Sequence, residues 1–379
     1  MGEPAQVKPV VAVIGGGYAG VNVAKALDDV ADVVLVEPKD AFVHNVAALR
    51  ALVAPSWLPR IYLPYAGLLS HGRVLRDRAA KVDAGRVELA SGDAIQADYI
   101  VLATGSGYPF PAKSDLDSTA AAHEKVLATH AALAAADRVL LLGAGPVGVE
   151  LAGEISAIWP AKRITLIDQA GDVLGTRFRP ELKAEIRRQL GQLGIRLLLG
   201  SPLAADPPGE PGDLGTCTVR TEAGAEVTAD IWFRCYGVWP VSDYLAGSLA
   251  AARQPDGFVA VTPYLQVAGQ DRVFALGDVA AADHKMAGAA SRQAAIVAGN
   301  IRALITGAGE LSRYDPPPPG IVVPIGPDGG AGQRGGQDEL LPAAVVADLK
   351  GRDMMVDRYI ALLGVPVSGG PADTDGIPG

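Results

Sequence analysis

Cysteine is nearly absent from this chain of 379 residues, which contains only Cys217 and Cys235. Because they are far apart along the chain, they can form neither a C-x-x-C redox pair nor a cysteine-based zinc site, and two cysteines cannot build a disulfide framework. Both lie in strand-like stretches, so we expect them to be small core residues. The five histidines are scattered and have no metal-ligand spacing. The sequence therefore predicts a protein without a metal centre and without thiol chemistry.

Positive charge is also scarce: 33 Lys and Arg residues stand against 42 Asp and Glu residues, and the net charge is −9. Nucleic acids and anionic membranes attract clustered positive charge, so we expect no nucleic-acid partner and at most peripheral contact with a membrane. No apolar run approaches the roughly 18 residues of a membrane span, and the first residues, MGEPAQVK, lack the apolar core of a signal peptide. With 49% hydrophobic residues, the composition is typical of a soluble, cytoplasmic protein of several domains.

Short apolar runs that end in glycine organise the chain. Each of three such runs has about five residues, as expected for a parallel strand that is covered on both faces. The first two are followed by a glycine turn, which begins at Gly15 or Gly143, then by a helical pattern and another apolar strand. This repeat predicts an α/β fold with two Rossmann-type dinucleotide-binding units. The three runs are Val10–Ile14, Arg138–Leu142 and Arg272–Leu276.

The first glycine turn has the spacing of a dinucleotide-binding fingerprint, Gly15-x-Gly17-x-x-Gly20. Its glycines permit a tight turn and a close approach of the backbone to a pyrophosphate, which the N–H groups of the following helix bind. Glu37 ends the next strand, where a carboxylate can accept hydrogen bonds from the ribose hydroxyls of an adenosine. A glycine-rich packing turn would not explain this acid, so the segment predicts a bound dinucleotide.

The second turn, Gly143-x-Gly145-x-x-Gly148, repeats this arrangement, and Asp168 closes the strand that follows its helix. Two fingerprints imply two dinucleotides. The usual pair is FAD with NADH or NADPH, because the nicotinamide donates a hydride to the flavin. Asp168 favours NADH, since the 2′-phosphate of NADPH would lie against its carboxylate.

Three further residues are candidates for chemistry at the cofactors. Glu150 lies in the first turn of the helix after the second glycine turn, where it either orients the nicotinamide or its ribose or is simply an acid favoured by the helix dipole. Asp278, in the pair Gly277-Asp278 after the third apolar run, can accept hydrogen bonds from the ribityl hydroxyls of the flavin. Lys285 precedes the predicted helix Ala287–Ile305 and would stabilise the negative charge that grows at the flavin N1–C2=O edge on reduction.

Several of these motifs carry a resemblance to a known family. The turns Thr104-Gly105 and Tyr236-Gly237, with Gly277-Asp278, resemble the two-dinucleotide-binding flavoproteins of the glutathione-reductase fold. The segment 42–50, FVHNVAALR, and the tripeptide Lys285-Met286-Ala287 are similar to the ferroptosis suppressor protein branch of the apoptosis-inducing-factor-like oxidoreductases, which is akin to type II NADH dehydrogenases. The likeness covers about residues 8–362.

This resemblance implies an FAD enzyme that takes a hydride from NAD(P)H and reduces a quinone. Glu150 and Lys285, singled out above by their positions, are the catalytic candidates. It also implies that the polar side chains of segment 40–50 lie beside the flavin. The residues expected at FAD are Gly15, Gly17, Gly20, Glu37, Asp40, His44, Asn45, Arg50, Ala79, Ala103, Thr104, Gly105, Gly277, Asp278, Lys285, Met286 and Ala287. The residues expected at NADH are Gly143, Gly145, Gly148, Glu150, Asp168 and Gly237.

Two other functions stay open from the sequence. One is an NADH-dependent reductase of a small iron–sulfur or rubredoxin-like protein, although a chain with a net charge of −9 repels acidic ferredoxins unless it carries a local basic patch. The other is a redox-sensing flavoprotein with slow turnover. The acceptor decides between these functions, and no motif identifies it.

The order of the motifs predicts a discontinuous FAD-binding domain, 1–112 and 254–313, with an NADH-binding domain, 113–253, inserted into it. A small C-terminal α+β unit, 314–379, would follow after a polyproline linker, YDPPPPG. We expect this unit to contain a strand, a glycine-rich loop, an amphipathic helical stretch at Ala343–Leu363 and a disordered tail. The amphipathic stretch would cover the flavin or quinone entrance, form a dimer contact, bind a membrane surface or simply pack on its own chain. Because a dimer contact is one of these alternatives, we expect a monomer or a homodimer.

Overall fold

The computed structural model describes residues 8–366, and the predicted tail therefore lies outside the described residues. A parallel five-stranded sheet forms the first layer. Its strands are β1 (Val10–Ile14), β2 (Asp32–Val36), β5 (Arg73–Leu75), β9 (Tyr99–Leu102) and β18 (Val273–Ala275). Their order across the sheet is β18-β9-β1-β2-β5, so the predicted strand β1 lies at the centre. It pairs with both neighbours in parallel, with Val10 opposite Asp32.

Both faces of this sheet are covered, which explains why its strands are apolar without alternation. Val11 and Val13 pack against helices α1 (Tyr18–Leu27) and α7 (Ala287–Thr306) on one face. Ala12 and Ile14 point to the other face, towards an antiparallel three-stranded sheet. That sheet consists of β6 (Ala79–Asp83), β7 (Arg86–Leu89) and β8 (Ala94–Gln96).

A second parallel sheet repeats the strand–turn–helix pattern. Its strands are β11 (Arg138–Leu142), β12 (Arg163–Ile167), β13 (Arg196–Leu198) and β16 (Ile231–Arg234), in the order β13-β12-β11-β16. Strand β16 does not extend the hairpin that precedes it in the chain: it pairs in parallel with β11, where its side chains complete the buried sheet. The hairpin is limited to β14 (Cys217–Arg220) and β15 (Glu226–Ala229), which cover one face.

The chain leaves the first sheet and later returns to it. Helix α4 (Thr119–Ala135) leads to the second sheet, and the two crossing segments, β10 (Ser106–Gly107) and β17 (Trp239–Pro240), pair with each other in an antiparallel ribbon. Strand β18 comes after the second sheet along the chain but pairs with β9 of the first sheet. The division into domains, with its boundaries at residues 112 and 253, stays a prediction.

The C-terminal segment forms a small antiparallel sheet of β19 (Ile321–Ile325), β20 (Gly329–Gln333) and β21 (Leu340–Leu341). The predicted glycine-rich loop is wrong for β20, which is a strand. Gly330 has φ +120°, and a Cβ there would collide with the Val323 carbonyl oxygen, so only glycine permits this close pairing.

The predicted amphipathic helix is not continuous. Helix α8 (Ala343–Val346) runs into a π-helical turn at Ala347–Gly351, and Met354 and Met355 then take left-handed backbone conformations before α9 (Val356–Leu362) begins. Because of these breaks, Met354 is buried but Met355 is 38% exposed. The buried side chains pack on other segments of this chain.

The remaining elements are short connections and two longer helices. They are β3 (Phe42–Val43), β4 (Tyr62–Leu63), α2 (Ala48–Val53), α3 (Leu58–Ile61), α5 (Pro146–Ile158) and α6 (Pro180–Gln192).

None of the helices within residues 8–366 is long and apolar enough to cross a bilayer.

Candidate active site

A cavity of about 650 Å³ lies at the carboxyl edge of the first sheet, where parallel strands leave room for ligands. Most residues that the sequence assigned to FAD line it, although they come from several separate segments of the chain. The predicted residues on the wall are Gly15, Gly17, Glu37, Asn45, Ala79, Ala103, Thr104, Gly105, Gly277, Asp278, Lys285, Met286 and Ala287.

The first glycine turn forms one end of this cavity. Gly15 has φ +103°, and a Cβ there would lie 2.5 Å from the Ala103 carbonyl oxygen, so the turn requires glycine. Gly20 allows helix α1 to cross the backbone of Gly15, while a Cβ on Gly17 would meet nothing within 4 Å. The open face at Gly17 and the free N–H groups of the first helical turn fit a dinucleotide pyrophosphate.

Glu37 is buried beside this turn. Its Oε2 accepts a hydrogen bond from Gly16 N at 2.6 Å, and its Oε1 accepts one from Lys39 N at 2.9 Å. Burial raises the pKa of Glu37, and the two backbone donors oppose that shift. The carboxylate therefore holds the turn in shape while it faces the cavity.

Asp278 has a partner that sequence reasoning missed. Lys113 donates to Asp278 Oδ2 at 3.0 Å and to the Ser106 carbonyl oxygen at 2.9 Å, and Ser106 Oγ donates to the same carboxylate oxygen at 2.7 Å. Lys113 lies on the cavity wall. No local pattern marks this lysine, because its partner is 165 residues away.

Lys285 lines the cavity, but its ammonium group is engaged. Its Nζ donates to the Ala280 carbonyl oxygen at 2.6 Å and lies 4.1 Å from the centre of the Phe258 ring. Burial lowers the pKa of Lys285. Gln293, which the helical pattern alone would place in solvent, is buried and accepts a hydrogen bond from Gly277 N at 2.7 Å, so it fixes the turn that carries Asp278.

Four polar residues of segment 40–50 were expected beside the flavin. Asn45 lines the cavity, but Asp40, His44 and Arg50 do not. Asp40 caps helix α4 instead, because its Oδ1 accepts from Thr119 N at 2.9 Å. Arg50 is buried in an ion pair with Glu154 on helix α5. Only Val43 and Asn45 of segment 40–50 line the cavity, which a local motif does not reveal.

His44, the third of these residues, is fully buried behind Tyr18. Its Nε2 lies 2.7 Å from the Met354 carbonyl oxygen and must donate to it, so Nδ1 is the acceptor that faces the Tyr18 hydroxyl at 3.3 Å. Burial lowers the pKa of His44 to about 4, so the ring is neutral near pH 7. Tyr18 lines the cavity and links it to this buried ring.

Glu150 does not line the cavity either. Its side chain, on helix α5, is 12% exposed, and its Oε1 accepts a hydrogen bond at 2.7 Å from Nζ of Lys350 in the π-helical turn. Burial raises the pKa of Glu150, and the Lys350 charge opposes the shift. The helix-dipole interpretation thus omits the main partner of Glu150, which is Lys350, 200 residues away along the chain.

The second glycine turn repeats the geometry of the first. Asp168 Oδ2 accepts from Ala144 N at 2.6 Å, as Glu37 does from Gly16, and its Oδ1 accepts from Ala170 N at 2.8 Å. Gly148 lets helix α5 cross the backbone of Gly143, and Gly145 has no neighbour near a Cβ position. Gly237, at φ +96°, lies in the open loop between β16 and β17.

Both cysteines are buried, as predicted for small core residues. Burial raises the pKa of Cys235 to about 12, so it carries no thiolate near pH 7. Within residues 8–366, no group of three or more His, Cys, Asp or Glu side chains is arranged to hold a metal ion.

Comparison with known proteins identifies the family. A family profile described as pyridine nucleotide-disulphide oxidoreductase matches residues 9–299. The chain belongs to this family. It is 31% identical over 364 residues to ferroptosis suppressor protein 1 of Taeniopygia guttata, covering 93% of this chain and 95% of that protein. It is 26% identical to apoptosis-inducing factor homolog B of Dictyostelium discoideum, covering 95% of this chain and 98% of that protein.

Solved structures agree with the predicted fold class. The sulfide:quinone oxidoreductase of Aquifex aeolicus superposes with a TM-score of 0.75 at 18% identity, covering 94% of this chain and 91% of that one. Pyridine nucleotide-disulphide oxidoreductases use FAD and NAD(P)H, and this protein is an NAD(P)H-dependent flavin oxidoreductase. The resemblance to the ferroptosis suppressor protein branch is confirmed.

Proposed function

We propose that this protein is an NADH:quinone oxidoreductase that holds FAD in the cavity of the first sheet. When bound, the flavin supplies the site that accepts a hydride from NADH and returns two electrons to the quinone. The first turn of helix α1 would bind the pyrophosphate, and Glu37 would accept hydrogen bonds from the adenosine ribose. Asp278, held by Lys113, would accept hydrogen bonds from the ribityl chain.

The burial of the two cysteines supports the choice of a quinone as the electron acceptor. Family members that act on disulfides need a reactive cysteine pair, but Cys217 and Cys235 are buried. The acceptor must therefore take electrons directly at the cavity. A quinone is such an acceptor, and the structurally similar Aquifex aeolicus protein is a sulfide:quinone oxidoreductase by name.

Proton supply is the second requirement, because reduction of a quinone to a quinol consumes two protons. Burial raises the pKa of Tyr18, so its hydroxyl stays protonated on the cavity wall with His44 Nδ1 as its acceptor. Behind this ring, Lys350 Nζ donates a hydrogen bond to Glu150 Oε1 at 2.7 Å. The Lys350 charge contributes to the low pKa of His44. The Glu150–Lys350 pair and the His44 ring therefore interact electrostatically.

The preferred nucleotide in this proposal is NADH. Asp168 presents a carboxylate at the end of β12, where the adenosine ribose of the nucleotide would lie. A 2′-phosphate there would meet like charge.

Two-step rapid mixing tests the proposal. The purified protein is first mixed anaerobically with one equivalent of NADH. The absorbance of the flavin is followed at about 450 nm, where oxidised flavins absorb. The reduced protein is then mixed with menadione, a short-chain ubiquinone or a ferredoxin. We expect bleaching by NADH and rapid return of the absorbance with either quinone. A return only with ferredoxin would replace the quinone by an iron–sulfur partner, and slow return with all three would favour redox sensing.

A further inference from the structure

Arg50 is a buried arginine that binds two other parts of the molecule at once. Its guanidinium forms a two-pronged ion pair with Glu154 on helix α5, with Nη2–Oε1 at 2.8 Å. The same Nη2 donates to the carbonyl oxygen of Gly351 at 2.8 Å. The two side chains of the pair are only 8% and 2% exposed.

Each of these contacts leads to a member of the Glu150–Lys350 pair. Glu154 and Glu150 are four residues apart on α5 and therefore lie on the same face, one turn apart. Gly351 directly follows Lys350 and ends the π-helical turn. Arg50 thus holds the helix that carries Glu150 and the peptide that carries Lys350.

We infer that Arg50 is a positioning residue that sets the geometry of the Glu150–Lys350 pair through Glu154 and the Gly351 carbonyl. This inference rests on the proposed hydride transfer from NADH to the flavin, for which Glu150 is the residue expected to orient the nicotinamide or its ribose. A buried ion pair is weak support for a role in stability alone, because a well-packed apolar pair of similar volume is often as stable. Removing one member is different, since it leaves the other as an unpaired buried charge.

The charges at this junction balance. Arg50 and Lys350 face Glu154 and Glu150, and the neighbouring charged or titratable groups are His44, which senses the Lys350 charge, and Asp353, which acts on His44. Burial raises the pKa of Glu150, Lys350 opposes this shift, and the Glu154 carboxylate adds to it. Without Arg50, the uncompensated Glu154 charge would raise the pKa of Glu150 further.

The test compares four variants: Arg50→Met, Arg50→Lys, the double variant Arg50→Met with Glu154→Leu, and Arg60→Met. Arg60 is the matched control, because its guanidinium lies 4.7 Å from the same Trp57 ring that Arg50 approaches at 5.2 Å, but it is exposed and far less tightly paired. The double variant replaces both buried charges by apolar side chains, so it removes the positioning contact without leaving a charge unpaired.

Four quantities are measured: FAD content, melting temperature, hydrogen exchange of segment 347–356 without NADH, and the rate constant of flavin bleaching by NADH as a function of pH. We expect the double variant to keep its FAD and a melting temperature within about 3 °C, but to bleach about tenfold more slowly and to exchange faster in 347–356. In Arg50→Met the acid limb of the pH profile should move to higher pH. Arg50→Lys should be intermediate, and Arg60→Met should match the unmodified protein.

Several results would overturn the inference. Unchanged bleaching and exchange in the double variant would show that the pair needs no such support, and equal effects in Arg60→Met would show a non-specific change. Loss of FAD or of folding in all three variants of Arg50 would assign it to stability. Failure of NADH to bleach the unmodified protein is a separate outcome, because it contradicts the proposed function itself.

Discussion

Lys113 and Asp278 form a salt bridge on the cavity wall, with Nζ 3.0 Å from Oδ2. Lys113 follows the segment that leaves the first sheet, and Asp278 follows the last strand that rejoins it. The bridge therefore joins the stretch after β10 to the turn after β18, on the wall of the cavity in which FAD would lie. Both side chains are partly shielded from solvent, so their attraction is stronger than that of an exposed pair.

The first prediction concerns this bridge. Lys113→Met should weaken FAD binding about 10- to 30-fold, because a hydrogen bond to a charged group contributes roughly 1.5–2 kcal/mol. Titration of apoprotein with FAD measures the change in Kd. Lys125→Met is the control, since Lys125 lies 4.0 Å from Asp115 at the exposed surface; a similar loss in that variant would show that the effect is not specific to the bridge.

The second prediction is that the cysteines take no part in turnover. A Cys217→Ala, Cys235→Ala variant should keep NADH–quinone kcat within about twofold, with a loss of stability of roughly 1–3 kcal/mol from the two small cavities. Steady-state kinetics and urea unfolding measure the two effects. A folded, FAD-loaded variant with no activity would contradict the direct transfer of electrons from the flavin.

The third prediction concerns nucleotide preference. The unmodified protein should prefer NADH over NADPH in kcat/KM by about 10- to 150-fold, a penalty of roughly 1.4–3 kcal/mol from like charge after screening. Asp168→Ala should shrink this ratio, although it also removes the acceptor of the Ala144 and Ala170 N–H groups and so weakens NADH itself. Asp172→Ala, which changes a nearby acid paired with Arg187, should leave the ratio unchanged. Equal use of both nucleotides by the unmodified protein would refute the preference.

The fourth prediction concerns stability against pH. His44 has a pKa of about 4 in the folded chain against 6.5 for a free imidazole, so the unfolded state binds the proton more readily. Stability is therefore unaffected above pH 6.5 and falls as the pH drops from 6.5 to 4, by up to about 3 kcal/mol from this residue.

Urea unfolding isolates this contribution when the unmodified protein and His44→Gln are compared from about pH 7.5 to about pH 4.5. This interval covers most of the range over which an imidazole titrates. The slope of the unfolding free energy against pH should be smaller in His44→Gln. His71→Gln at the exposed surface is the control and should keep the original slope. Parallel curves for all three proteins would rule out the buried histidine as a cause.

Much of the fold and part of the site followed from local patterns. The predicted strands Val10–Ile14 and Arg138–Leu142 have the bounds that the structure gives them, and each lies beside a glycine turn and an acid-ended strand. Where a backbone departs from its local pattern, prediction failed: the Gly329–Gln333 strand was predicted as a loop, and the π-helical turn at Ala347–Gly351 as regular helix. Gly330 lies against the carbonyl oxygen of Val323 in the adjoining strand, and Gly351 lies against the Pro327 carbonyl and accepts a hydrogen bond from Arg50. Such close backbone approaches override local propensity.

The sequence by itself determined the two Rossmann-type units, since apolar runs, glycine spacing and the position of an acid are set within about 30 residues by sterics and periodicity. Only the tertiary structure decided which charges meet. Lys113 with Asp278, Glu150 with Lys350 and Arg50 with Glu154 are pairs separated by 165, 200 and 104 residues. Such pairs depend on how whole segments pack, because a side chain selects its partner by proximity in space and not by any signal in its own stretch of chain.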